Sequence, residues 1–223
     1  MYYDREGMNT PPRDTLLWRY MDLAKYLSLL HHSALYFSRK SGLENLDPWE
    51  SYLGQAVAVN DGQFWERWQR LPYVNSWHVA ANESAAMWQV YRGRGFGVAI
   101  RTTWDHLAES FIEDEEIVWG GAVRYVDYEV EAPNFLNAYN PLFMKRKAFE
   151  FEHEARLLVQ STDDDGPAGR EIHVDIPTLI QEVVVSPYEP SWVAELISEV
   201  TSDRWPTVPI AQSQLLQPPP SAA

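Results

Sequence analysis

Lys145-Arg146-Lys147-Ala148-Phe149-Glu150-Phe151-Glu152-His153-Glu154-Ala155-Arg156 places three carboxylates, a histidine and four cations within twelve residues. No other stretch concentrates titratable groups of both signs in this way. As a strand, its side chains alternate, so Glu150, Glu152, Glu154 and Arg156 point one way, and Phe149, Phe151, His153, Ala155 and Leu157 the other. As a helix, Ala148, Phe151, Ala155 and Leu158 form a stripe at spacings of three and four. Both readings are expected to apply in turn. A helix from about Pro141 to Phe151 hands over to a strand from about His153 to Gln160, where Leu157-Leu158-Val159 favours strand. In the strand part Glu152, Glu154 and Arg156 share a face. Arg156 then holds the neighbouring carboxylates ionised, while like-charge repulsion raises one pKa. Such a group suits acid–base work or cation binding. The alternative is a solvated edge carrying a surface ion network.

The rest of the chain supplies ample material for a core. It has 223 residues, 45% of them hydrophobic, with 10 Trp, 12 Tyr and 8 Phe. That length suits a single domain or a tight pair. So many rings imply that some line a cleft or the surface, because indole N–H and phenol O–H need partners. The net charge of -14 repels phosphate backbones and anionic bilayers, which disfavours general nucleic-acid binding and membrane association. The absence of cysteine excludes disulfides, thiolate zinc sites and a cysteine nucleophile. The start, Met1-Tyr2-Tyr3-Asp4-Arg5, does not read as a signal peptide, and no apolar run has the length of a membrane span. A soluble, cytoplasmic protein is expected.

Along the chain, residues 1–14 read as a loose polar arm, 15–216 as a single α+β domain, and 217–223 as a disordered proline-rich tail. Strands are predicted at Thr15–Tyr20, Ala34–Ser38, Asn75–Val79, Gly97–Thr102, Ala122–Val130, Ile172–Ile176, Glu182–Val185 and Val208–Leu216. Helices are predicted after Asp22, with Leu23, Tyr26, Leu27 and Leu30 on one face; over 50–70, entered at Asp47-Pro48-Trp49-Glu50 after a loop from Gly42, with Phe64, Trp65 and Trp68 buried; after Asn82; from Trp104 to Phe111 capped by Thr103; and after Pro190 with Trp192, Leu196, Ile197 and Val200. Trp104, Trp119, Trp192 and Trp205 read as core or rim packing. Glu113-Asp114-Glu115-Glu116 and Asp163-Asp164-Asp165 read as solvated loops. Interspersed strands and helices imply a central mixed, largely antiparallel sheet flanked by helices.

Several phrases together are similar to one bacterial family. They are Leu17-Trp18-Arg19-Tyr20-Met21-Asp22-Leu23-Ala24-Lys25, Leu35-Tyr36-Phe37-Ser38-Arg39, Asp47-Pro48-Trp49-Glu50, Trp77-His78 with Asn82-Glu83-Ser84-Ala85-Ala86-Met87-Trp88-Gln89-Val90-Tyr91, Gly97-Val98-Ala99-Ile100, and Lys145 through Arg156. In this order, from about Leu16 to about Leu216, they resemble the bacterial domain of unknown function 2971 family. The resemblance implies a cytoplasmic protein and names no reaction. Some members of that family are associated with mobile or phage-defence gene neighbourhoods. A second resemblance is to ADP-ribosyltransferase-like folds. There an early-strand Arg or His, a Tyr- or Ser-rich second strand and a late-strand Glu act together. Arg19, Tyr36-Phe37-Ser38 and Glu152 or Glu154 stand in that order, and this likeness implies NAD as cofactor. It is analogy at the level of fold.

Candidate site residues follow. Glu152, Glu154 and His78 are candidate catalytic groups, with a glutamate as acid, base or transition-state stabiliser. Arg19, Tyr36, Ser38, Trp77, Trp88, Tyr91, Lys145 and Arg156 are candidate substrate-binding groups. The arginines would orient an anion, and the rings would supply stacking walls. Each has a plainer alternative: Arg19 paired with a glutamate, His78 a satisfied core histidine, Asn82 a helix cap, and Glu83 a first-turn carboxylate favoured by the dipole. No metal is expected, although Glu150 and His153 stand at i, i+3. Arg92-Gly93-Arg94-Gly95-Phe96-Gly97 follows a predicted helix and precedes a strand, the reverse of dinucleotide-binding order. No Gly-x-Ser-x-Gly elbow occurs. Two functions remain. One is an enzyme acting on an anionic, nucleotide-like small substrate, with ADP-ribosyl transfer from NAD as its specific form. The other is a non-catalytic interaction or regulatory module of a defence or toxin system.

Overall fold

A computed structural model of the chain describes residues 1–4, 8–40, 70–93, 95–112, 116–131, 139–163 and 165–217. Its strands are β1 Leu16–Asp22, β2 Ala34–Arg39, β3 Pro72–Val79, β4 Gly97–Thr103, β5 Val118–Ala122, β6 Arg124–Val126, β7 Met144–Arg146, β8 Glu154–Gln160, β9 Gly169–His173, β10 Glu182–Val185 and β11 Ile210–Gln212. Its α-helices are α1 Leu23–His32, α2 Ala85–Tyr91, α3 Trp104–Glu109, α4 Ile176–Leu179 and α5 Ser191–Ser202, and 3₁₀ turns cover Asn140–Phe143 and Lys147–Glu152. The class is α+β with mixed, mostly antiparallel pairing. The described residues group into two compact units: one holds Met1–Pro12, Leu35–Val79 and Phe111–His173, the other Arg13–Ala34, Ala80–Ser110 and Val174–Ala223.

The first unit is built on β8. This strand pairs antiparallel with β3 on one side and β5 on the other, while β2 joins the far edge of β3 and β9 joins β2. β8 is buried from Glu154 through Val159, as a strand enclosed on both faces must be. Val74, Trp119, Leu142, Phe143 and Leu158 form its apolar cluster. Short parallel strands β6 and β7 lie apart from this sheet.

The second unit has strand order β11-β10-β4-β1, with β10 and β11 parallel and the other pairs antiparallel. Trp18, Tyr20, Met87, Trp88, Ala99 and Val184 pack together as one of its cores. The helix starts follow from local chemistry. Asp22 accepts from the Lys25 N–H at 2.9 Å, Thr103 caps α3, and Asp175 caps α4. α1 stops where Ser33 takes a left-handed conformation.

Several expectations are corrected. The helix from Pro141 to Phe151 is instead a 3₁₀ turn, strand β7 and a second 3₁₀ turn. The helical stripe is present in the sequence, but pairing with β6 pulls Met144–Arg146 into extended form, so tertiary contact overrides local preference. Glu152 therefore precedes the strand instead of belonging to it. The strand predicted over Ala122–Val130 falls as β5 and β6, with a turn after Val126. Ser84, not Asn82, caps α2, accepting from the Met87 N–H. The strand predicted to reach Ile176 ends at His173, because Asp175 and Pro177 start α4. The last strand spans only Ile210–Gln212. The arm expected to be loose makes backbone bonds with β5: Tyr3 N–H to the Val118 carbonyl, and Ala122 N–H to the Asn9 carbonyl, each 2.7 Å. These bonds occupy an edge that would otherwise leave unpaired backbone groups. The α+β domain expected over 15–216 is present, and its described residues group into two compact units of three segments each. The helix over 50–70, its entry at Asp47–Glu50, the loop before it, Glu113–Glu115, Asp164 and the tail from 218 lie outside the described residues.

Gly120 lies in β5 against β8. A Cβ there would collide with the Arg156 carbonyl oxygen and stand 2.9 Å from Leu157 Cδ2. Gly120→Ala is expected to lower stability by about 1–3 kcal/mol through forced displacement of β8, measured as an earlier urea midpoint.

Candidate functional site

The register of β3 on β8 assembles the site. Directly opposed residues of an antiparallel pair share a face. His78 opposes Glu154 and Ser76 opposes Arg156, so these four side chains lie on one face of the first unit's sheet. Trp77 opposes Ala155 on the other face, where its indole N–H donates to Asn75 Oδ1 at 2.7 Å.

Arg156 is the deepest charge, with its side chain only 2% exposed, and Glu154 beside it is 4% exposed. The contact is bidentate: Arg156 Nε donates to Glu154 Oε1 at 2.7 Å and Nη2 to Oε2 at 3.0 Å. Two parallel charge-assisted bonds fix the geometry of both groups. Arg156 Nη1 donates to the Leu142 carbonyl, and the Ser76 hydroxyl donates to Glu154 Oε1. Lys145, carried in by β7, lies 3.0 Å from Glu154 Oε2 and also pairs with Glu152. Two cations thus face two carboxylates.

Burial alone would raise the Glu154 pKa. The charges of Arg156 and Lys145, with the hydrogen bonds from Arg156 and Ser76, more than reverse that and hold Glu154 well below the usual carboxylate range. Held this way it stays ionised, so any part it takes in chemistry is through its charge and not as a proton donor. His78 behaves oppositely. Burial lowers its pKa, as does the neighbouring His153, against a hydrogen bond to the Glu152 carbonyl and the Glu152 charge. His78 Nδ1 lies 2.6 Å from that carbonyl oxygen. A carbonyl only accepts, so Nδ1 carries the hydrogen and Nε2 the lone pair of the neutral ring.

The hinge of the site is His153, with φ 38° and ψ 55°. A left-handed conformation is costly for a residue with a Cβ, by about 1–2 kcal/mol, and such strain gathers where a site must be held in place. Here it turns the chain between the 3₁₀ end at Glu152 and the start of β8 at Glu154. Both carboxylates thereby reach Lys145.

Lys145, Glu152, Glu154, Arg156 and His78 are therefore gathered in the first unit. Tyr36 and Ser38 are on β2 of the same unit; Tyr36 is half exposed, and its carbonyl accepts from Asn75 Nδ2. Arg19, Trp88 and Tyr91 belong to the second unit. Arg19 is partly exposed, yet protein packed round its guanidinium pulls its pKa down to about 10, with Tyr91 offsetting part of the shift. Trp88 is fully buried with its N–H on Glu83 at 3.0 Å, and Tyr91 is an exposed ring at the end of α2. Among the described residues no cluster of three or more His, Cys, Asp or Glu is arranged to hold a metal ion.

Two members of the site escaped the sequence reading. Ser76 was legible in principle, standing two before His78 on one strand face. Tyr125 had no such signal. Its hydroxyl accepts from the Glu154 N–H at 2.7 Å. Burial, with added push from Glu154 and Glu152, raises its pKa and keeps the phenol protonated, against the hydrogen bond from Glu154 and the Arg156 charge.

No protein-family model, no curated protein and no solved structure matches the chain. No helix among the described residues is long and apolar enough to cross a membrane.

Two measurements follow from these charges. Arg156→Met, which leaves Glu154 buried without its main partner, is expected to lower stability by about 3–5 kcal/mol. Pairing it with Glu154→Leu should restore most of that loss, read from urea unfolding of the single and double variants. The second is pH dependence. Unfolded His78 binds a proton more readily than folded His78, so its contribution is lost as pH falls below the unfolded value of 6.5. Glu154 has a depressed folded pKa, so its contribution is complete above the unfolded value of 4.5 and is lost as pH falls below it. Urea midpoints across that range should decline in both windows. His78→Gln should flatten the upper window, and Glu154→Gln the lower.

Proposed function

We propose that the protein is an enzyme acting on an anionic, nucleotide-like small molecule, and that its reacting centre is the Lys145–Glu152–Glu154–His78 group. The observation that carries this reading is one lysine held between two buried carboxylates, beside a histidine that burial keeps neutral. Groups whose environments push them toward different protonation states can divide catalytic roles. Lys145 and Glu152 are the more exposed end, with side chains 11% and 10% exposed. Lys145 there exchanges Glu152 for an anionic group of the substrate. Glu152 and the lone pair at His78 Nε2 then accept protons, and Glu154 stays a carboxylate that stabilises positive charge developing in the transition state. Tyr125, kept protonated, donates a hydrogen bond. Arg156 and Ser76 position Glu154.

The specific form of the proposal is ADP-ribosyl transfer from NAD. Breaking the bond between the ribose carbon and nicotinamide leaves positive charge on the sugar, which a permanently ionised glutamate stabilises. The chain would then be a cytoplasmic member of the bacterial domain of unknown function 2971 family, with the ADP-ribosyltransferase-like arrangement as its fold.

A second reading is favoured by the satisfaction of the inner pair. Arg156 and Glu154 hold each other bidentately and take further bonds from within the protein. The network is then a structural clasp, and the protein a non-catalytic interaction or regulatory module, of a phage-defence or toxin type. Incubation with NAD separates the two. Nicotinamide release that falls at least a hundredfold in Glu152→Gln and Glu154→Gln, with circular dichroism unchanged, is the expected result. No release, with an unaltered cellular phenotype in Glu154→Gln, would leave the module.

A further inference from the structure

A helix packed on a sheet needs one apolar stripe, and α5 carries two. Val193, Ile197 and Thr201 are buried, with the Thr201 hydroxyl 2.7 Å from that of Tyr26 on α1. One residue earlier in each turn stand Trp192, Leu196 and Val200, exposed at 50%, 40% and 39%. At 100° per residue the second stripe lies beside the first and turns toward solvent. Phe96 packs edge-on against Trp192 at 5.1 Å between ring centres, extending the stripe at its start. The apolar face runs from Trp192 to Val200 of a twelve-residue helix, about 12 Å.

Its outer border is acidic. Glu195 and Glu199 follow Trp192 and Leu196 by three residues and are exposed. They also line an open groove of about 540 Å³ between α5 and β11. Gln212 on β11 also lines this groove, and its Nε2 donates to the Ser186 carbonyl at 2.7 Å.

We propose that this face of α5 docks a basic amphipathic helix of a partner protein. The apolar side of the partner covers Trp192, Leu196 and Val200. Its lysines or arginines pair with Glu195 and Glu199. Helix-against-apolar-face recognition uses anchors that recur about once per helical turn, and Trp192, Leu196 and Val200 recur every four residues. Charge selects the occupant. A second copy of a chain with net charge -14 would set carboxylates against carboxylates, and an anionic membrane would be repelled as well. This interaction is independent of the chemistry proposed for the first unit.

The test uses the full chain and three fluorescently labelled helical peptides of equal length: leucine and lysine in amphipathic register, the same with glutamate for lysine, and lysine with serine for leucine. The leucine–lysine peptide is expected to bind at least tenfold more tightly than the other two, by anisotropy. Leu196→Ser with Val200→Ser should weaken it at least tenfold. Glu195→Lys with Glu199→Lys should turn the preference toward the leucine–glutamate peptide. All four positions are solvent-facing, and circular dichroism checks that the variants are folded. Equal binding of the lysine–serine peptide, or affinity unchanged in both variants, would overturn the proposal. So would concentration-dependent dimerisation of the unmodified chain that Leu196→Ser abolishes, because the face would then belong to a second copy.

Discussion

A guanidinium that is almost wholly removed from water sets the terms for the first unit. Arg156 stands in the middle of β8, which is buried over nearly its whole length. Isolated there, its charge would cost several kcal/mol. Glu154 must therefore be ionised and within reach, two residues away on the same strand face. That in turn brings Ser76 on β3, the Leu142 carbonyl before β7, and Lys145 on β7 to saturate the two charges. The register of β3 on β8, the close approach of Gly120 and the left-handed turn at His153 are all conditions for this pair to meet.

The result is graded in its chemistry. The inner pair is locked by bidentate geometry, and its carboxylate does not titrate in any ordinary range. The outer lysine and Glu152 are closer to solvent, and His78 beside them is neutral. Fixed charges thus lie behind, and the more exposed pair in front of them.

What the sequence disclosed was local. Alternation from Glu154 to Arg156 identified the shared face, and Asp22 and Thr103 announced their helices because a side-chain oxygen next to an apolar run has one common use. Glu182–Val185 read as a strand and is one. The region 140–152 was misread because its helical stripe is real, while β6, which claims Met144–Arg146, lies about twenty residues earlier. β5 begins four residues before the strand predicted from Ala122, through two glycines that usually argue against a strand and that close neighbours require here. Tyr125 comes from another segment, which spacing cannot reveal. Trp192 was expected in the core or at its rim because a helix with one stripe is the common case, and its exposure is visible only once Val193 and Ile197 are seen to face inward.

Each unit is woven from three separate lengths of chain. The first cannot be finished until β9 has been made at residues 169–173, although its earliest strand ends at Arg39. In the second, β10 pairs with β4 about eighty residues earlier, and β4 with β1 about eighty residues before that. During synthesis, which proceeds at about 5–20 residues per second, neither unit can close while the ribosome is still at work on the middle of the message. One edge of β3, whose other neighbour β2 is already made, must wait for seconds for its partner strand some eighty residues later. Closure of either unit is thus tied to the last third of the chain and not to its first strands.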